Sequence, residues 1–352
     1  MRDGKAIVLR GDARDLPLPD NSVDLIVTSP PYWGLRDYRD GGNSLDGQIG
    51  AEPTPDAYID ALIDCTREWM RILTPEGSIF VVLGDKYSTH VGTTSGTRLA
   101  RGNFGTSAGR NLAGVRDVVR AGIGADLPDK SRLMLPERYR LACAFTLGLI
   151  VRSVIIWSKP ACMPESVTDR VRVVHEDIVH LTKQPRYFAS VDDIRRPHKA
   201  PLRVAGNTAM QARNLHHPRT ATSAYEGPHP LGALPGSVWE IATEPVRVPQ
   251  TLGASHYAPF PLALVRTVVL GWSPDGGVVA DPFGGTGTTA LVASVLGRTG
   301  ISVDRSADYC RIAQWRTTDP GERARAMGVP KPEPVHPQQS ILDLFSEVSD
   351  GA

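Results

Sequence analysis

Two short stretches of this chain carry residue types that could do chemistry. The first, TSPPY at residues 28–32, directly follows the apolar run VDLIVT and precedes Trp33. Pro30 and Pro31 fix φ twice and donate no backbone N–H, so the carbonyls around them have no ladder to join and stand free to accept hydrogen bonds. Ser29 adds a hydroxyl and Tyr32 an aromatic face at the same place. The second stretch, DPFGGTGTT at residues 281–289, joins a strand-like VVAD to a helical pattern. Gly284, Gly285 and Gly287 would let backbone approach a ligand closely, and the helix N-terminus behind them favours negative groups, which implies a nucleotide-like ligand. The spacing is neither GxGxxG nor a loop ending in GK[ST], which disfavours NAD and ATP. About 20 residues further on, GISVD ends in Asp304, the place where an acidic side chain in such a unit accepts hydrogen bonds from ribose hydroxyls.

Each stretch alone has a plain alternative, a proline turn with core aromatics or a glycine turn that packs helix on strand, so the elements that would position them matter. β-branched runs at 6–12, 23–28, 78–85, 151–157, 177–183, 277–281 and 299–304 read as buried strands. Helical patterns at 54–73, 136–149 and 286–297 separate several of them. The pattern predicts an α/β chain, doubly wound, with a mostly parallel sheet covered on both faces. Two segments break the rhythm: a Gly/Ser/Thr/Arg-rich stretch at 86–130, expected to be mobile, and a basic segment at 184–250. After Asp319 the composition turns to Pro, Gly and charge, which predicts a flexible tail over 319–352.

Composition narrows the function classes. The 352 residues are 41% apolar, enough for a substantial core, and 39 Lys plus Arg nearly cancel 38 Asp plus Glu. Any nucleic-acid surface must therefore be a local patch. Cys65, Cys143, Cys162 and Cys310 form no CxxC or Cys/His cluster, so neither a disulfide framework nor a metal site is expected and a reducing cytosol is the natural setting. The N-terminus has no apolar signal core, and the longest apolar run is interrupted by Arg152, so no membrane span is expected.

Taken together, these stretches resemble the permuted β group of DNA amino-methyltransferases, cytosine-N4 type. DPFGGTGTT resembles that family's S-adenosylmethionine motif, TSPPY its catalytic motif, and SHYAPFPLALVRTVVLGWSPDGGVVADPF the segment preceding the glycine loop. The segment VIIWSKPACMPESVTDRVRVVHEDIVHLTKQPRYF is similar to the strand-loop-strand after the catalytic half, and the resemblance covers most of residues 6–316. It implies a seven-stranded, Rossmann-like, circularly permuted methyltransferase sheet with an inserted target-recognition region. The catalytic half is then 1–183, the target-recognition region 184–250 and the cofactor-binding half 251–318.

The resemblance also implies roles. A nucleobase amine is a poor nucleophile because its lone pair is delocalised into the ring, and acceptors on its two N–H groups would free that pair. Ser29 Oγ and the Pro30 carbonyl are those acceptors, held by Pro31, with Tyr32 as stacking platform and Trp33 either assisting or simply packing. S-adenosylmethionine would be held by Asp281, Pro282, Phe283, Gly284, Gly285, Gly287, Thr288 and Asp304. Asp12 would sit near the cofactor or cap a following helix, His256 and Phe260 match the cofactor-proximal segment, and Phe260 has core packing as its alternative. Asp85 would stand at the mouth of the cleft or cap a loop. A Pro-Cys nucleophile is not evident, so the cysteines have no assigned role.

Double-stranded DNA is the implied partner, gripped through Lys159, Arg186, Arg195, Arg196, Lys199, Arg203, Arg213 and Arg219, for which a merely solvated basic face is the plain alternative. Permuted enzymes of this group often pair, which makes a homodimer an expectation. In the tail, LDLF resembles the bacterial sliding-clamp-binding motif, although Ile341 stands where glutamine is usual; the alternative is a short helix docked on its own domain. Cytosine N4 is the implied target and adenine N6 the runner-up, with cytoplasmic, nucleoid-associated, restriction-modification use. A catalytically silent DNA-binding regulator is the competing class.

Overall fold

The computed structural model describes residues 4–35, 38–88, 127–162, 164–198, 229–246, 248–252 and 259–328. Ten strands and six α-helices are described: β1 (Lys5–Arg10), β2 (Val23–Thr28), β3 (Arg39–Asp40), β4 (Asn43–Ser44), α1 (Pro55–Ile72), β5 (Leu73–Leu83), α2 (Leu135–Leu147), β6 (Ile150–Ser158), β7 (His175–Thr182), β8 (Val238–Glu240), α3 (Leu262–Trp272), β9 (Val278–Asp281), α4 (Thr288–Val295), β10 (Thr299–Asp304), α5 (Ala307–Thr318) and α6 (Pro320–Met327). The main sheet runs β1-β10-β9-β2-β5-β7-β6-β8, and β3 and β4 form a separate two-stranded ribbon. From β1 to β5 every pairing is parallel; β7 is antiparallel to β5 and β6, and β8 lies parallel to β6.

The seven expected strands are all present, and the sheet has one more. Strand β8 comes from the segment expected to be a separate insertion and adds to the edge of the sheet. Three residues, VWE, give no readable alternation, so its pairing rests on tertiary contact; Trp239 is buried there. A second correction concerns the tail. Residues 320–327 form α6, capped by the Asp319 side chain on the Glu322 N–H, with Ala324 and Ala326 buried. Two favourable local signals, Asp at the N-cap and Pro at N1, outweigh the linker composition.

Alternation along the strands builds two cores. On β5, Ile79, Val81 and Leu83 point to one face with α1 and α2, while Phe80 and Val82 point to the other with α3 and α4. On β2, Ile26 joins the first cluster and Leu25 and Val27 the second. This two-sided burial is why the runs read as continuous apolar stretches. Helix α1 starts where Thr54 Oγ1 accepts from the Ala57 N–H (3.1 Å), and α2 ends at Gly148, whose φ of +69° suits glycine. No described helix is long and apolar enough to cross a membrane. The segment 89–126, His256 and the residues after 328 lie outside the described residues, with the clamp-like LDLF among them.

Candidate active site

Parallel strands release their chain at one edge of the sheet, and the two motifs leave from neighbouring strands there: TSPPY from β2 and DPFGG from β9. Both reach one cavity of about 310 Å³. Ser29, Pro30, Pro31 and Tyr32 line one part of it; Pro282, Phe283, Gly284, Gly285, Thr288 and Asp304 line another, with Asp12 and Phe260. Tyr32 and Gly285, far apart in sequence, thus share one cleft, a volume in the range of small-molecule sites.

On the glycine side the backbone is held by side chains. Asp304 accepts from the N–H groups of Gly285 (2.9 Å) and Ser306 (2.8 Å), and burial pushes its carboxyl up to about 6. Each carboxylate oxygen keeps a further lone pair for a ligand hydroxyl. Gly285 has φ of +50° and faces open space, a cradle suited to close approach of a ligand. Beneath the turn, buried Arg316 donates to Thr286 O (3.2 Å), Thr286 Oγ1 (2.9 Å), Thr288 Oγ1 (2.9 Å) and Glu322 Oε2 (2.9 Å). Phe260, 8% exposed, packs in the core and also lines the cavity.

On the proline side, Tyr58 donates its hydroxyl proton to the Pro31 carbonyl (2.9 Å), and Lys86 Nζ donates to Gly34 O (2.8 Å). Burial pushes that lysine down to about 8. Among the described residues no protein donor meets the Pro30 carbonyl. The Tyr32 phenol donates to Glu176 Oε2 (2.8 Å), and burial raises it well above the ordinary phenol range, so it keeps its proton. Gly84 backs the Tyr32 ring so closely that a Cβ there would stand 2.7 Å from Cε2. Trp33 is 1% exposed and donates to Glu52 O (2.7 Å): it packs, and does not assist.

Several expected positions are corrected. Asp281 borders the cavity, but its carboxylate is turned inward, accepting from Thr28 Oγ1 (2.6 Å), Thr289 Oγ1 (2.9 Å) and Phe283 N (3.1 Å). Gly287 is not a lining residue; its φ of +76° and a would-be Cβ 2.8 Å from Ala313 Cβ fit α4 against α5. Lys159 lies inside the cavity, paired with Glu176 and 4.3 Å from the Trp157 ring centroid, so it is no outer phosphate contact. Asp85 caps α2 through Leu135 N (3.0 Å) and pairs with Arg132 (2.7 Å). Asp12 caps no helix; it accepts from Arg14 N (2.9 Å) and faces Arg305 at 3.6 Å. Cys65, Cys143 and Cys310 are buried with thiols pushed up to about 12, 12 and 11, which suppresses the thiolate.

Of the basic set, Arg186 and Arg196 are exposed, while Arg195 is tied to Asp192 (2.6 Å) and to Gly232 O (3.0 Å). Lys199, Arg203, Arg213 and Arg219 lie outside the described residues. Sequence reading missed Arg14, Trp157, Glu176, Arg305 and Tyr309, which all line the cavity, and Arg316 beneath it. Glu176 had one signal: it stands in HEDIVHLT, where a charged pair opens an otherwise apolar strand.

Asp281 also carries a pH prediction. Burial raises its carboxyl from 3.8 to about 7. Thr289 Oγ1 lies near both Asp281 Oδ2 (2.9 Å) and Val27 O (3.2 Å) but has one proton; a proton on Oδ2 lets both bonds form. The folded pKa is raised, so this contribution to stability is complete below the unfolded value of about 4 and lost as pH rises through about 7. Asp304 acts with the same sign through about 6. The urea midpoint should fall between pH 5 and 8, and Asp281→Asn should flatten, without abolishing, that decline.

The fold is α/β, and its glycine turn and proline-held turn meet in one cavity of small-molecule size. The model of the DNA methylase family of N6/N4 methyltransferases matches residues 23–315. The type II methyltransferase M.SmaI of Serratia marcescens is 35% identical over 319 residues, 90% of this chain and 91% of that protein. M.Cfr9I of Citrobacter freundii is 32% identical over 311 residues, 88% and 86% of the two chains. Among solved structures, the PvuII DNA methyltransferase (cytosine-N4-specific) shares the fold with a TM-score of 0.57 at 16% identity, covering 100% of this chain and 98% of that one. This chain belongs to the N6/N4 DNA methylase family. It is a DNA methyltransferase, and its cofactor is S-adenosylmethionine.

Proposed function

We propose that the chain methylates the exocyclic N4 amine of a cytosine flipped out of duplex DNA. The observation that carries this reading is the single cavity shared by Ser29, Pro30 and Tyr32 with the glycine turn and Asp304. S-adenosylmethionine supplies an electrophilic methyl group when bound. Gly284, Gly285, Asp304 and Phe260 hold it, with Asp304 taking the ribose hydroxyls. Ser29 Oγ and the Pro30 carbonyl accept from the amine N–H groups and turn its lone pair out of conjugation, while the rigid loop places the nitrogen at contact distance. Flipping the base costs a few kcal/mol, and stacking on Tyr32 contributes about 1–3 kcal/mol against it.

Lys159 supports cytosine over adenine. Beyond its contact to Glu176, the ammonium has two further N–H donors without a protein acceptor among the described residues. Next to its amine, cytosine presents two acceptors, N3 and O2, whereas adenine presents N1 and then a C–H. The cytosine-N4 specificity of the PvuII enzyme agrees with this choice. Exposed Arg186 and Arg196, with the basic residues beyond them in sequence, contact DNA phosphates.

Expression in a methylation-free host, followed by nucleoside mass spectrometry, is expected to yield N4-methylcytosine. Ser29→Ala should lower methyl transfer about 30-fold with cofactor binding kept, and Lys159→Met about 10-fold or more. N6-methyladenine alone would overturn the choice of base, and unmodified DNA would overturn the reading altogether.

A further inference from the structure

Between the proline turn and α1 the chain folds into the β3/β4 ribbon, and the contacts of that ribbon are with the other side of the cavity. Gly41 and Gly42 have φ of +57° and +88°, as a two-residue turn between paired strands requires. Asp40, just before the turn, docks the ribbon on α5. Its Oδ1 accepts from Ala307 N (3.0 Å) and Asp308 N (3.4 Å), first-turn amides that have no partner within the helix, and its charge suits that helix end. Gly41 N donates in return to Asp308 Oδ2 (3.2 Å). Further along the ribbon, Arg305 holds Gly47 O (3.0 Å) and Asp46 O (2.9 Å). The inner side of the ribbon is cavity wall: Tyr38, Leu45 and Gln48 line it, and the Tyr38 ring lies 6.3 Å from that of Tyr309, a lining residue of α5.

We propose that Asp40 is a positioning residue for S-adenosylmethionine: by latching residues 38–50 onto the first turn of α5, it holds the ribbon across the cofactor and slows cofactor release. The inference rests on the placement of the cofactor against Asp304, but not on which base is methylated. Asp40 does not itself line the cavity, so it acts through the ribbon residues that do. Two strands of two residues are too short to hold a wall in place unaided, which makes the docking contacts decisive. Asp40 Oδ2 also pairs with Arg10 (2.7 Å), but that arginine is 61% exposed and the pair adds little, so the contacts to the α5 amides carry the latch. The return end of the ribbon is secured separately. Ile49 is buried, Gly50 N donates to Glu52 Oε2 (2.8 Å), and Gly50 O accepts from Gly34 N (2.7 Å) beside the proline turn. Loosening the latch should therefore be felt by the cofactor and not by the TSPPY turn.

Asp40→Ala tests this, because it removes the latch and touches neither core. The calorimetric Kd for S-adenosylmethionine should rise about 10-fold, and the dissociation rate read by stopped-flow protein fluorescence by a similar factor. Tm should fall by less than about 3 °C. Single-turnover methyl transfer to plasmid DNA at saturating cofactor should stay within about threefold of the parent, the split expected of a residue that acts on binding alone. Asp308→Ala, which removes the Gly41 contact from outside the cavity, should raise Kd and dissociation rate in the same direction, by about threefold. The proposal is overturned if Asp40→Ala binds within about twofold of the parent, or if its saturated rate falls as far as its affinity. Should Asp40→Ala fail to fold, Asp308→Ala decides alone, and an unchanged dissociation rate overturns the proposal. Parental affinity in Asp304→Asn would instead overturn the placement of the cofactor, which keeps the two failures distinct.

Discussion

Replacing Arg316 by methionine is expected to destabilise the fold by about 3–5 kcal/mol, read as a fall in Tm of about 10 °C, and to weaken S-adenosylmethionine binding about 10-fold. The side chain is 1% exposed, and its guanidinium joins the glycine turn, through Thr286 and Thr288, to Glu322 on α6. Methionine nearly matches the length but donates nothing. Two threonine hydroxyls then lose their donor in a dry site, and Glu322 keeps only Arg325 at 3.3 Å. Arg316→Lys separates the two effects. Its ammonium can still pair with Glu322, so much of the stability should return, but a point charge cannot span both threonines and the glutamate. A methionine variant with unchanged Tm and unchanged calorimetric affinity would show that the turn does not depend on this anchor.

Arg316 carries no signal in the local sequence. TSPPY and DPFGGTGTT announce themselves because their chemistry is local: consecutive prolines, or glycines at tight spacing, have few uses besides a rigid turn. Arg316 sits in ADYCRIAQWRTT, an unremarkable helical string, and gains its meaning from partners 30 and 28 residues earlier in the chain. Glu176 is farther still, 144 residues from Tyr32. No short-range pattern can report such a pairing; the sheet creates it by placing the ends of β2, β6 and β7 around one cavity.

Strand runs such as VDLIVT and TGISVD match β2 and β10 residue for residue, because burial on both faces demands unbroken β-branched stretches. Strand β8 and helix α6 were missed since each is short and depends on what it packs against. Asp281 shows the limit within a motif. Its position beside the glycines was legible, but the inward turn of its carboxylate depends on Thr28, 253 residues away. The aspartate thus ties β2, which leads into TSPPY, to β9, which leads into the glycine turn, so the common cavity follows from a buried hydrogen bond and from adjacent strands alike.

Gly284→Ala is expected to weaken S-adenosylmethionine binding by on the order of 100-fold, the outcome of several kcal/mol of forced displacement. A Cβ at this position would stand 1.9 Å from Ser302 Oγ, 2.9 Å from Ser302 Cβ and 3.1 Å from its Cα. Ser302 is fully buried in the middle of β10, so it cannot retreat, and the turn must move instead. Moving it strains the Gly284 N–H bond to Val303 O (2.8 Å) and carries the Gly285 N–H away from Asp304. Two companions make the cause visible in the same calorimetric titration. Ser302→Gly in the alanine background removes the two nearest atoms and should recover part of the affinity, at about 1 kcal/mol of strand stability. Gly285→Ala places its Cβ in open space, where the nearest atom is 3.9 Å away, and bears only the φ of +50°, so its loss should be about 10-fold. Equal losses at 284 and 285, or no rescue by the serine change, would mean that backbone conformation and not the contact with β10 sets the requirement for glycine.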